Sequence, residues 1–114
     1  MKTDLRGHQL IEQRSLQFHC AVAGKLRDHP ERLEIARENL RRWTALGGPS
    51  QPLWDEWRQI LDRPLNELLL LLEENSDRMT VLRRASPFAG VLEPAERWAV
   101  YARFAEEFPG SARN

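Results

Sequence analysis

Asp62-Arg63-Pro64-Leu65-Asn66-Glu67-Leu68-Leu69-Leu70-Leu71-Leu72 is the stretch whose reading decides the fold. Leu65, Leu68, Leu69 and Leu72 follow the i, i+3, i+4, i+7 spacing, so a helix gathers them into one apolar stripe, with Leu70 and Leu71 on either side of it. A leucine left in water instead of packed costs roughly 1.5–3 kcal/mol, so Leu70 and Leu71 are expected to meet either other helices of the chain or a partner. The run is far too short to span a bilayer, which takes about 20 apolar residues. Asp62 stands where it can cap this helix, with Pro64 in the first turn.

Upstream, Gln51–Leu61 presents Leu53, Trp54, Trp57, Ile60 and Leu61 over a broad face. Gly47-Gly48-Pro49-Ser50 before it reads as a turn between helices, since neither half of the chain has enough apolar residues for a core of its own. A helix from Pro30 to Leu46 aligns Leu33, Ala36, Leu40 and Trp43, and its other side, with Glu34, Arg37, Glu38, Arg41 and Arg42, reads as solvated. Glu38 and Arg42 stand in the favourable i, i+4 order. A first helix from His8 to Arg27 puts Ile11, Ser15, Phe18, Val22 and Leu26 on one face, and Gly24 marks a candidate close crossing.

Downstream, Asn75-Ser76-Asp77 breaks the chain and offers caps for a short helix over Asp77–Ala85 with Met79, Val81 and Leu82. Ser86-Pro87-Phe88-Ala89-Gly90-Val91-Leu92 is a loop expected to bury Phe88 and Val91. Glu93-Pro94-Ala95-Glu96 opens the last helix, whose expected inward stripe is Trp98, Tyr101, Ala102, Ala105 and Phe108, ending at Pro109-Gly110. No strand-like alternation and no repeat occurs. The predicted fold is all-α, a compact bundle of about six short helices forming one domain over residues 1–110, with a mobile tail at 111–114.

The 114 residues suffice for a core without disulfides or metal. Seventeen basic residues balance seventeen acidic ones, so no bulk field draws in nucleic acid. The single cysteine, Cys20, and an N-terminal Met1–Arg6 segment without an apolar signal region point to the cytoplasm.

Few residues offer chemistry. Glu12, Ser15 and His19 lie along one side of the first helix in the order of a triad, but consecutive turns of one helix supply neither pocket nor free N–H groups for an oxyanion. They read instead as a polar margin, which Arg14 can join. His19 and Cys20 diverge by about 100° on the helix and cannot act as a pair, so Cys20 reads as an inert packed thiol. The three histidines lack metal-ligand spacing, and no phosphate loop is present, so no metal, cofactor or catalysis is predicted. The four tryptophans read as core. The helices from Leu65 to Ala85 can imitate a helix-turn-helix with Arg78, Arg83 and Arg84 toward DNA, though the joint Glu73-Glu74-Asn75-Ser76-Asp77 is acidic.

Arg14-Ser15-Leu16-Gln17-Phe18-His19, Leu40-Arg41-Arg42-Trp43 and above all Ser86-Pro87-Phe88-Ala89-Gly90-Val91-Leu92-Glu93-Pro94-Ala95-Glu96-Arg97-Trp98 together resemble a group of small, mostly uncharacterised bacterial helical proteins similar to the antitoxin halves of toxin–antitoxin pairs. The resemblance spans roughly Leu10 to Phe108. It implies a protein that binds and neutralises a co-encoded toxin of a nucleotidyltransferase-like kind, and it brings no catalytic residues. Glu93 departs from the pattern, where threonine or serine would cap the last helix. The expected function is therefore a protein-interaction module, with Leu70, Leu71, Phe88, Val91, Arg14, Ser15 and His19 as candidate partner-binding residues. A second copy of the chain is a further candidate partner, and a small DNA-binding regulator is the alternative reading.

Overall fold

The leucine stretch does form a short helix, and it lies against the longest helix of the protein. The structure is a computed structural model that describes residues 7–109; the N-terminal 1–6 segment, the expected stop at Gly110 and the 111–114 tail lie outside the described residues. Helix α1 runs Gly7–Asp28, α2 Leu33–Leu46, α3 Gln51–Leu61, α4 Leu65–Glu73, α5 Asp77–Arg83 and α6 Pro94–Glu107. Proline at position 30 turns the expected start of the second helix into a separate 3-10 turn, Pro30–Arg32. Helix α1 is the spine: α4 and α6 pack along it, α5 touches its first half, and α2 pairs with α3. No helix among the described residues is long and apolar enough to cross a membrane.

Leu68, Leu69 and Leu72 of α4 are buried and meet Val22, Ala23 and Leu26 of α1 in the core cluster, with Leu65 half-buried beside them. Trp57, Ile60 and Leu61 bring in α3, and Ala36 and Leu40 bring in α2. The Trp57 indole N–H donates to the Leu82 carbonyl at 2.7 Å, so its polar edge is satisfied inside the core.

Several expectations are corrected. Ile11 is 61% exposed, because the buried arc of α1 centres on His19, Val22, Ala23 and Leu26, and Ile11 stands at its margin in the early turns. Gly24 marks no close crossing, since an added Cβ would meet nothing within 4 Å. Asp62 does not cap α4; it follows the end of α3, where its carboxylate accepts from Arg37 at 2.9 Å, while Pro64 begins α4 without any side-chain cap. On α2, Arg41 spans Glu34 and Glu38, and Arg42 turns instead to Asn39.

The last helix is rolled about its axis relative to the expected stripe. Phe108 points inward as expected and Tyr101 and Ala105 are half-buried, but Phe104 joins Phe108 inside, ring centroids 4.6 Å apart, with Val100 half-buried, while Trp98 is 70% exposed and Ala102 is exposed. Lys25–Glu96 at 3.1 Å and Gln17–Glu107 at 3.0 Å tie this register to an antiparallel α1. Val100 and Phe104 make with Phe108 a second stripe that shares only Phe108 with the expected one, and burying those three leaves Trp98 outside. The Glu93 start is nonetheless held, because the Glu96 carboxylate accepts the Glu93 N–H at 2.7 Å. Ser76 does cap α5, its hydroxyl accepting the Met79 N–H at 3.2 Å. That helix stops at Arg83, two residues before the expected Ala85.

Candidate functional site

The Ser86–Leu92 loop is irregular, yet it sits in the middle of the molecule. Phe88 and Val91 are fully buried, with the Phe88 ring edge-on to Trp57 at 5.3 Å and to His19 at 5.9 Å. Buried irregular backbone needs partners for its polar groups. Asn39, 5% exposed, donates from one amide nitrogen to the carbonyls of Pro87 at 2.8 Å and Ala89 at 2.9 Å. Arg32 donates to the carbonyls of Val91 and Gly90. Phe88 and Val91 thus belong to the core and offer no partner surface, which corrects their expected role.

His19 fastens the same loop from the other side. Its Nδ1 lies 2.7 Å from the Ser15 carbonyl, which can only accept, so Nδ1 carries the proton and Nε2 accepts from the Ser86 hydroxyl at 2.7 Å. Burial drives the imidazole pKa down to about 4; the Ser15 carbonyl pulls it up and the nearby Arg83 charge pushes it further down. His19 is therefore neutral over the physiological range.

This pair has the outline of a nucleophile and base, but Ser86 is followed by Pro87, which has no N–H for an oxyanion, and the imidazole is a weak base. The geometry suits a clasp. The Ser15 hydroxyl is 3.5 Å from Nδ1 and Glu12 faces Arg84, so the three residues do not converge. Burial, helped by the Glu73 carboxylate and opposed by Arg83, holds the Cys20 thiol above its ordinary pKa and hence protonated. Among the described residues no group of three or more His, Cys, Asp or Glu is arranged to hold a metal ion.

The remaining candidates are scattered. Leu70 is 69% exposed, while Leu71 is half-buried at the edge of the core. Arg14 lies over the Tyr101 ring at 5.5 Å, and His19 is only 2% exposed, so Arg14, Ser15 and His19 form no common surface patch. Arg78 pairs with Glu56, and Arg84 with Glu12 at 3.0 Å. Arg83 is buried, 6% exposed, and donates to the Glu74 carbonyl at 2.9 Å. The three arginines therefore do not form one exposed row.

Two surface features were missed by periodicity. The outer side of α6 carries Ala95, Trp98, Ala99 and Ala102, all exposed, at i, i+3, i+4, i+7. That spacing is present in the sequence and could have been read as a second apolar face. The other is a cleft of about 310 Å³ beside Trp43 and Trp54, whose rings lie 5.8 Å apart, with Leu46 86% exposed at its edge. Comparison with protein-family models, with curated proteins and with solved structures finds no match to this chain.

Proposed function

We propose that this chain is a protein-interaction module that docks a partner through the outer face of α6, with Leu70 of α4 as a second anchor, and that the partner is a toxin encoded beside it. The observation that carries the reading is Trp98, 70% exposed in a row of exposed alanines on a well-formed helix. A tryptophan presents roughly 200 Å². At about 25 cal/mol per Å², covering the 70% of it that Trp98 exposes contributes on the order of 3 kcal/mol, the size of an interface hot spot. Alanines on either side let another helix approach closely. Leu70 adds an apolar side chain that the chain itself leaves uncovered. The antitoxin part of the proposal rests on the resemblance carried by Ser86–Trp98.

The DNA-binding alternative finds less support, because Arg78 and Arg84 are each engaged by a glutamate and Arg83 is buried. The test is co-expression with the neighbouring gene product. The wild-type chain is expected to relieve growth arrest and to co-purify with the toxin, and Trp98→Asp to lose both while keeping its helical circular dichroism. Growth arrest that persists with the wild-type chain rejects the antitoxin reading, and full activity of Trp98→Asp rejects the α6 face.

A further inference from the structure

Arg83 is the one residue of fixed charge that is buried among the described residues. A buried cation is costly unless an anion answers it. None touches it: the guanidinium makes no ion pair with a described carboxylate, the Glu74 and Glu12 charges act on it only from a distance, and its two acceptors are neutral, the Glu74 carbonyl at 2.9 Å and the Thr80 hydroxyl at 3.3 Å. A guanidinium has five N–H groups, so the Nε–H and the second hydrogen on each Nη are left without a protein acceptor. Burial accordingly pushes its pKa below the ordinary arginine value.

These unused donors border a cavity of about 360 Å³ between the first half of α1 and α5. Thr80, Ser15 and the Arg84–Glu12 pair share the wall, and Ile11, 61% exposed, stands at the mouth with His8. The Ser15 hydroxyl has only a 3.5 Å contact to His19, so it too can donate into the space. The arginine and carboxylate charges on the wall are Arg83, Arg84 and Glu12, which sum to one net positive. A single carboxylate balances that wall; a doubly charged phosphate would meet Glu12. An apolar rim next to a buried cation suits an acidic side chain with an aliphatic neighbour.

We propose that this cavity is a carboxylate-binding site, in which Arg83 receives an acidic side chain of the partner protein while an adjoining apolar side chain covers Ile11. The inference rests on the interaction-module reading and adds the chemistry of the partner's anchor. Filling the cavity completes the Arg83 donors and removes the exposed isoleucine from water in one step.

The test is an NMR titration of the full chain with acetyl-Leu-Glu-amide, with the isosteric acetyl-Leu-Gln-amide and with inorganic phosphate. The glutamate peptide is expected to shift the Arg83 Nε–H, Thr80 and Ile11 signals, and the glutamine peptide and phosphate to bind at least tenfold more weakly. Ile11→Glu, an exposed position where folding is not at stake, is expected to weaken the glutamate peptide by about tenfold with an unchanged melting curve. Equal binding of the two peptides, tighter binding of phosphate, absence of shifts, or an Ile11→Glu variant that binds as well as wild type would each overturn the site. Phosphate preference would point to a nucleic-acid backbone. If the partner co-purifies equally with wild type and Ile11→Glu, the carboxylate site fails while the interaction module stands.

Discussion

The Ser86–Leu92 loop and helix α6 adjoin in sequence and are treated in opposite ways. The loop has no regular hydrogen bonding, yet it places Phe88 and Val91 fully inside and Leu92 nearly so. The helix satisfies its own backbone, yet it leaves Trp98 in solvent. The difference lies in what surrounds each. Around the loop stand α1, α2 and the 3-10 turn, with His19, Asn39 and Arg32 positioned to take up its polar groups. Helix α6 lies at one side of the molecule against α1, so it has a single protein-facing side and fills it with Phe104 and Phe108. Regularity of backbone therefore says little about burial here; the number of neighbours decides it.

The hardest way to break this contrast is Phe88→Ala. It is expected to cost about 3–5 kcal/mol, as for a buried aromatic whose site cannot collapse, read as a fall in the urea midpoint. A loss under about 1 kcal/mol would mean the loop is peripheral after all. Next comes acid.

His19 is neutral in the folded protein with its pKa lowered to about 4, so the unfolded chain binds more protons below the ordinary histidine value near 6.5. Its contribution is full above about pH 6.5, falls as pH drops toward 4, and amounts to about 3 kcal/mol over that window. Urea unfolding of wild type against His19→Gln across this range should show the slope in the first and a flatter profile in the second.

Asn39→Ala strips the Pro87 and Ala89 carbonyls of their donor and is expected to cost about 1–3 kcal/mol. Native-state hydrogen exchange should then rise first in the 86–92 segment; uniform protection would deny Asn39 its role as the fastener of that loop. Trp98→Ala sits at the other end of the scale. Folding stability is expected to stay within about 0.5 kcal/mol of wild type, as for an exposed side chain, while partner capture is lost. A destabilisation above about 2 kcal/mol would show that Trp98 packs within the chain, and the two regions would cease to differ.

Helix positions were largely legible because they follow from local rules. Ser76 caps α5 where a serine precedes an apolar run, Pro94 opens α6, and Gly47, at φ 73°, ends α2 where the left-handed region favours glycine. The burial of Phe88 and Val91 was legible too, as apolar residues in a loop with nowhere else to go. The clasp was not. His19 and Ser86 are 67 positions apart and Asn39 and Pro87 are 48 apart, and nothing in local spacing links such pairs. Arg83 was misleading for a related reason: at a helix end it looks like a surface cation, and only the packing of α5 against α1, with the Glu74 carbonyl just past α4 accepting from it, makes it a buried one.

The sequence alone determined the all-helical class, the six segments and the core of the leucine stretch, since 3.6-residue periodicity, proline and glycine act within a few residues of themselves. The tertiary structure decided what becomes of each leftover group. Leu71 is half-covered and Leu70 is not; Arg83 is enclosed; Trp98 faces out. Periodicity defines a stripe on one helix but not the rotation of that helix against its neighbours, and α6, with stripes on two sides, could satisfy its pattern either way. The choice falls to packing, where burying Val100, Phe104 and Phe108 against α1 excludes burying Trp98 as well.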